Sequence, residues 1–198
     1  MSKERLGAFM DAVIAIVMTI LVLELEKPTK PTLEAFWNLR INFAAYALSF
    51  LWLAAMWTSL HNAWHVVEKI SNRTMWLSMG LLFFSSLFPY ATSLVSTWFS
   101  SRVVQGFYGV IVIATTIMLI LIYRSLAKDD PCEDTVKYMR TVNGFLRIDV
   151  GIKIAGTVIG VLLWPPLVSI GVLVAALFIM VARKGLSAGK DDQRMESL

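Results

Sequence analysis

The stretch RLGAFMDAVIAIVMTILVLEL, residues 5–25, decides the class of this protein. From Leu6 to Leu25 only Asp11 and Glu24 interrupt an apolar run, and about 20 such residues in a helix are enough to cross a bilayer. A cleavable signal peptide has an apolar region of only about 7–15 residues and a small-residue cleavage site. This run instead ends in Glu24-Leu-Glu-Lys-Pro28, so the reading is a retained membrane helix. At about 100° per residue, Ile16, Ile20 and Leu23 fall on one stripe, with Thr19 beside it and Phe9 and Val13 continuing it. Asp11 lies off that stripe. Arg5 and Asp11 differ by about 120° in azimuth, which makes them poor partners for each other and directs them toward neighbouring helices.

The rest of the chain is of the same kind. Of 198 residues, 57% are hydrophobic and 16% charged, and the mean hydropathy is +0.67, a profile of an integral membrane protein. Six spans are expected, at about 6–25, 39–60, 75–99, 103–123, 145–164 and 165–183, delimited by charge clusters and prolines. No charge occurs from Ile154 to Ala182, but Trp164-Pro165-Pro166 lies in the middle of that stretch. Two prolines remove two backbone donors, so a tight turn between two helices is favoured over one long helix.

Charge supports this count. With the N-terminus inside, cytoplasmic segments hold thirteen of the eighteen Lys and Arg residues, while Lys27, Lys30, Arg40 and Arg102 lie outside and Lys153 lies within a span. The bias predicts both termini in the cytosol. Trp37, Trp98 and Trp164 fall at the outer ends and Trp64, Trp76 and Tyr123 at the inner ends, where such rings favour the headgroup layer. Residues 1–183 are read as one membrane domain. The 124–144 loop is read as a solvated linker and 184–198 as a polar tail.

The net charge of +4 then reflects cytoplasmic loops, and no nucleic-acid partner is expected. A lone cysteine, Cys132, and two histidines supply no multi-cysteine metal site and no H-E-x-x-H set. Nucleotide and nucleophile-elbow strings are missing too, so no enzyme, catalytic residue, metal site or cofactor is expected. The potassium-filter string T-V-G-Y-G is also missing, so a channel built from this chain must select ions by another device.

Three motifs carry a resemblance. Arg5-x-x-x-Phe9-x-Asp11 resembles the R-x-x-x-F-S-D signature of the transmembrane protein 175 family, the lysosomal potassium channels and their shorter bacterial relatives. WTSLHNAW, Trp57–Trp64, resembles that family's W-x-x-H-H-x-x-F ending of the second helix, and LFPYATSL, Leu87–Leu94, its L-x-P-F-x-T segment. The signature serine is Met10 here, the paired histidine is reduced to Leu60-His61, and the following phenylalanine is Trp64.

The resemblance implies a homotetramer in the plasma membrane, the bacterial inner membrane, whose first helices line a potassium-selective pore. Counted from the signature aspartate, the constriction falls on Ile16, Ile20 and Leu23, and a threonine layer on Thr19. A ring of aliphatic side chains makes a weakly wetted neck that favours the ion that sheds water more readily, potassium over sodium. The partners implied are further copies of the chain, the lipid bilayer and potassium as the permeant ion. Arg5, Phe9, Asp11, Trp57 and His61 form the expected polar brace between the first two helices.

Elsewhere, Pro89 among Ser85, Ser86, Thr92, Ser93 and Ser96 predicts a kink or a water path. Gly156-x-x-x-Gly160 matches a small-residue packing motif. Asp149 and Lys153, four apart, are read as a neutralising pair. The rival reading from another class is a small proton- or cation-coupled secondary transporter, for which Lys153 is the one supporting midplane charge.

Overall fold

The computed structural model describes residues 2–180 and, among them, is built of helices. In chain order they are α1 (Lys3–Leu23), α2 (Leu33–Asn38), α3 (Arg40–Val66), α4 (Asn72–Ser86), α5 (Phe88–Thr97), α6 (Arg102–Asp129), α7 (Glu133–Leu162) and α8 (Leu167–Met180). Hydroxyl caps set several starts. Ser2 accepts from the Arg5 amide, Thr32 from Ala35, Ser71 from Thr74 and Ser101 from Val104, each satisfying a donor that a helix N-terminus leaves free. Lys3–Leu23, Arg40–Val66, Asn72–Thr97 and Arg102–Asp129 are long and apolar enough to cross a membrane.

Within the expected span 75–99 the helix is interrupted at Leu87. It stops at Ser86 and restarts at Phe88, because Pro89 has no N–H to give the Ser85 carbonyl and its ring crowds the preceding turn. Nearby hydroxyls serve the backbone: Ser86 Oγ donates to the Phe83 carbonyl and Ser96 Oγ to that of Ser93.

The linker expected over 124–144 is corrected. α6 runs on to Asp129 and α7 begins at Glu133, so the connection is confined to 130–132. Pro131 disfavours helix at Asp130, and Glu133 and Asp134 then stand in the first turn of α7, where the helix dipole favours negative charge. The Asp130 carboxylate accepts from the amides of Cys132 and Glu68, and that of Asp129 from the Ser71 amide. This turn is thereby tied to the α3–α4 connection. The expected turn at Trp164-Pro165-Pro166 separates α7 from α8. The 184–198 tail and residues 181–183 of the last span lie outside the described residues.

Helices in lipid gain little from the hydrophobic effect and associate through packing and hydrogen bonds. α6 packs on α4, α5 and α7, and α1 packs on α3, α4 and α5. α7 and α8 meet through the glycine motif. A Cβ built on Gly156 would lie 3.2 Å from the Gly171 Cα, and one on Gly160 would lie 2.6 Å from Val168 Cγ2 and 2.9 Å from its backbone nitrogen. The motif is therefore used within one chain. The contact admits only hydrogen.

Gly160→Ala should destabilise the protein by about 1–3 kcal/mol through overpacking, read as a lowered unfolding midpoint in detergent. Gly151→Ala, whose added methyl meets nothing within 4 Å, should leave the midpoint unchanged or raise it slightly.

Candidate ion-conducting site

α1 has two unlike faces. Leu6, Met10, Ile14, Val17 and Leu21 are buried against α3, α4 and α5. The opposite face is bare: Phe9, Ile16, Ile20 and Leu23 are exposed, Leu23 by 78%. Thr19 shares that face. Its hydroxyl donates to the Ile16 carbonyl at 2.8 Å, which commits the proton to the helix and leaves oxygen lone pairs directed away from it. The four positions Ile16, Thr19, Ile20 and Leu23 extend over about 10 Å of helix at 1.5 Å per residue.

The polar groups at the other end of α1 are only partly united. Trp57 Nε1 donates to Asp11 Oδ1 at 2.8 Å, a charge-assisted bond from α3 to α1. His61 packs against Trp57 with ring centroids 5.2 Å apart and planes tilted by 30°, and its Nε2 lies 3.0 Å from that of His65. Arg5 and Phe9 do not join. Both face outward, and the Arg5 guanidinium has no side-chain partner among the described residues. Lys3 instead makes the first contact of α1 with the α3–α4 connection, donating to the Val67 carbonyl at 2.7 Å. Met10, which replaces the signature serine, is buried in the packed face.

Further links join helices that sequence spacing does not relate. Thr92 Oγ1 donates to Ser49 Oγ at 2.7 Å, and Ser49 Oγ lies 3.2 Å from the Tyr108 hydroxyl, so α5, α3 and α6 share one hydroxyl chain. Tyr123 donates to the Ser59 carbonyl, Thr74 Oγ1 shares in the Ser125 and Asp129 oxygens, and Ser169 Oγ donates to Gln105 Oε1. The signal for these is only that a polar side chain within an apolar span must find a partner.

Asp149 and Lys153 are both 2% exposed and form a salt bridge. Lys153 Nζ also donates to Thr116 Oγ1 at 2.9 Å and sits 4.8 Å from the centroid of the Trp52 ring. The pair is thus closed by α6 and α3. Among the described residues Asp149 Oδ1 keeps no hydrogen-bond partner.

Comparison with known proteins follows the same residues. The family model for the endosomal/lysosomal potassium channel TMEM175 matches residues 5–89, a range that contains the first-helix motif, Trp57, His61 and the Pro89 break. A protein named a potassium channel in Chryseobacterium sp. (strain P1-3) is 34% identical over 117 residues, 59% of this chain and 61% of that one. Another so named in Streptomyces collinus is 26% identical over 118 residues, 56% of this chain and 57% of that one. The chain therefore matches about three fifths of the length of these curated relatives. The crystal structure of a lysosomal potassium-selective channel TMEM175 homolog from Chamaesiphon minutus superposes with a TM-score of 0.70 at 23% identity, covering 91% of this chain and 97% of that one.

Asp11→Ala should cost about 1–3 kcal/mol by leaving the Trp57 N–H without its charged acceptor. In a double-mutant cycle followed by thermal unfolding, Trp57→Phe should add little further loss once Asp11 is gone.

Proposed function

We propose that this chain, which belongs to the TMEM175 family, is a potassium-selective channel in which the first helices of four copies enclose a passive ion pathway. The observation that carries the proposal is the bare stripe of α1. Four copies around one axis would cover Ile16, Ile20 and Leu23 with one another and turn an unpartnered face into a neck. The rings exclude loosely held water, and an ion crosses only after giving up part of its hydration shell. Potassium holds that shell less tightly than sodium. The outward lone pairs of Thr19 offer partial replacement within the neck.

The remaining architecture of the proposal is six membrane spans, both termini in the cytosol and residence in the plasma membrane of a bacterium. The end of the bundle that carries Lys3, Lys69, Arg73, Arg124, Lys128, Lys137 and Arg140 is the cytosolic end by the distribution of positive charge. Asp11, Trp57 and His61 lie toward that end as a brace that sets how α1 faces the axis. No catalytic residue and no cofactor take part. Potassium is the permeant ion, and the partners are further copies of the chain and the bilayer.

The rival, a small proton- or cation-coupled secondary transporter, draws on the buried Asp149–Lys153 pair, since intramembrane charges often mark coupling sites. Here that cation is already held by a carboxylate, a hydroxyl and an aromatic face, an arrangement suited to a fixed structural link.

Reconstituted into liposomes, the protein should dissipate a potassium gradient much faster than a sodium gradient, without saturation and without a coupled ion. Ile16→Asn should lower the potassium-to-sodium ratio by on the order of tenfold, equivalent to about 1.4 kcal/mol. An unchanged ratio, or a mass in detergent equal to that of one chain, would sink the assignment of the neck.

A further inference from the structure

At the basic end of the bundle, away from α1, the chain holds a cavity of about 640 Å³ between the start of α4, the end of α6 and the first half of α7. Its rim carries five cations, Arg73, Arg124, Lys128, Arg140 and Arg147. None of the five forms an ion pair among the described residues, where the single salt bridge is Lys153–Asp149. Clustered like charges repel one another. Their convergence on one concavity costs stability unless an anion is there to offset it.

The walls are apolar. Leu121, Ala127, Val136 and Met139 line the cavity between the cations. Arg140, Asn143 and Arg147 stand at positions i, i+3 and i+7 of α7, on one face, and Leu121, Arg124 and Lys128 repeat that spacing on α6. Each helix therefore presents cations next to an oily surface.

Asn143 adds an independent sign of a ligand. It is 6% exposed and lines the cavity. Its amide nitrogen donates to the Ile120 carbonyl at 3.4 Å, while its Oδ1 has no hydrogen-bond partner among the described residues. A buried carbonyl oxygen left without a donor is unfavourable, so a group that brings a donor hydroxyl is favoured.

We propose that this cavity binds an anionic phospholipid with a hydroxylated headgroup, its phosphodiester held by the arginines, a headgroup hydroxyl donating to Asn143 Oδ1, and its acyl chains lying along the apolar wall. Basic pockets between membrane helices take such headgroups by charge complementarity, and Arg matches phosphate oxygens in a bidentate fashion. The apolar walls distinguish a lipid from a free phosphate, which has no use for them.

Gly144 gives a direct test, since it lines the cavity and a Cβ placed on it meets nothing within 4 Å. Gly144→Asp sets a carboxylate among the cations on a Cβ that meets no neighbour, and Gly144→Asn sets the same shape there without charge. The purified full chain in detergent is titrated with dioleoyl phosphatidylglycerol, with dioleoyl phosphatidylcholine, and with water-soluble glycerophosphoglycerol, binding being read by native mass spectrometry and by the shift in unfolding midpoint. Expected results are preferential binding of phosphatidylglycerol, its weakening by about tenfold or more in Gly144→Asp, near-wild-type binding in Gly144→Asn, and weakening by added salt. In Lys137→Gln, whose charge lies outside the cavity, binding is unchanged. Equal binding of phosphatidylglycerol by wild type and Gly144→Asp overturns the proposal. So does glycerophosphoglycerol binding as tightly as the lipid, which would make this a soluble-anion site.

Discussion

One hydrogen bond, from the Trp57 indole to the Asp11 carboxylate, governs how the first helix is turned. An aliphatic helix in hydrocarbon has little energetic reason to prefer one rotation over another, because lipid tails are as apolar as leucine. A carboxylate removes that indifference. Asp11 must meet a donor, α3 supplies one, and the face bearing Leu6, Met10, Ile14, Val17 and Leu21 is thereby brought against α3, α4 and α5. The face bearing Ile16, Thr19, Ile20 and Leu23 is left over. Were α1 rotated by half a turn, the same residues would be packed away and the proposed neck would not exist.

The rest of the bundle is held by the same economy of polar groups. Ser49, Thr92 and Tyr108 satisfy one another across three helices, and Thr74 and Ser71 take up the Asp129 carboxylate beside the short α6–α7 turn. Each such link costs little if both groups are buried together and a great deal if one is left alone. Register between helices is therefore specified at a few points. Between those points the glycines at 156, 160 and 171 bring α7 and α8 to backbone contact, where dispersion is strongest.

Much of this was legible beforehand, for a physical reason. Helical periodicity depends on sequence spacing alone, so the exposed stripe of α1 could be read from Ile16, Ile20 and Leu23. Proline acts locally too, so the break near Pro89 and the turn at Trp164-Pro165-Pro166 could be anticipated. The 124–144 segment reads as a loop because its charges look like those of one, yet it is helical on either side of 130–132. Arg124 and Lys128 stand exposed on the last turns of α6, and Glu133 and Asp134 favour the start of α7. The brace was only half legible. Asp11 and Trp57 are 46 residues apart and meet, but Arg5, read as their companion, faces outward. The hydroxyl links were not legible at all, since nothing near Thr92 in the chain indicates that its partner is Ser49.

The brevity of the α6–α7 connection has one more consequence. Two long helices meet in a turn of three residues, and Cys132 stands exposed within it. The whole sequence contains no other thiol, so the chain carries a single native handle at one extremity. A membrane-impermeant maleimide applied to sealed vesicles would address that handle from one compartment only. The sidedness of the entire bundle is written in one sulfur atom, and it can be read without changing a residue.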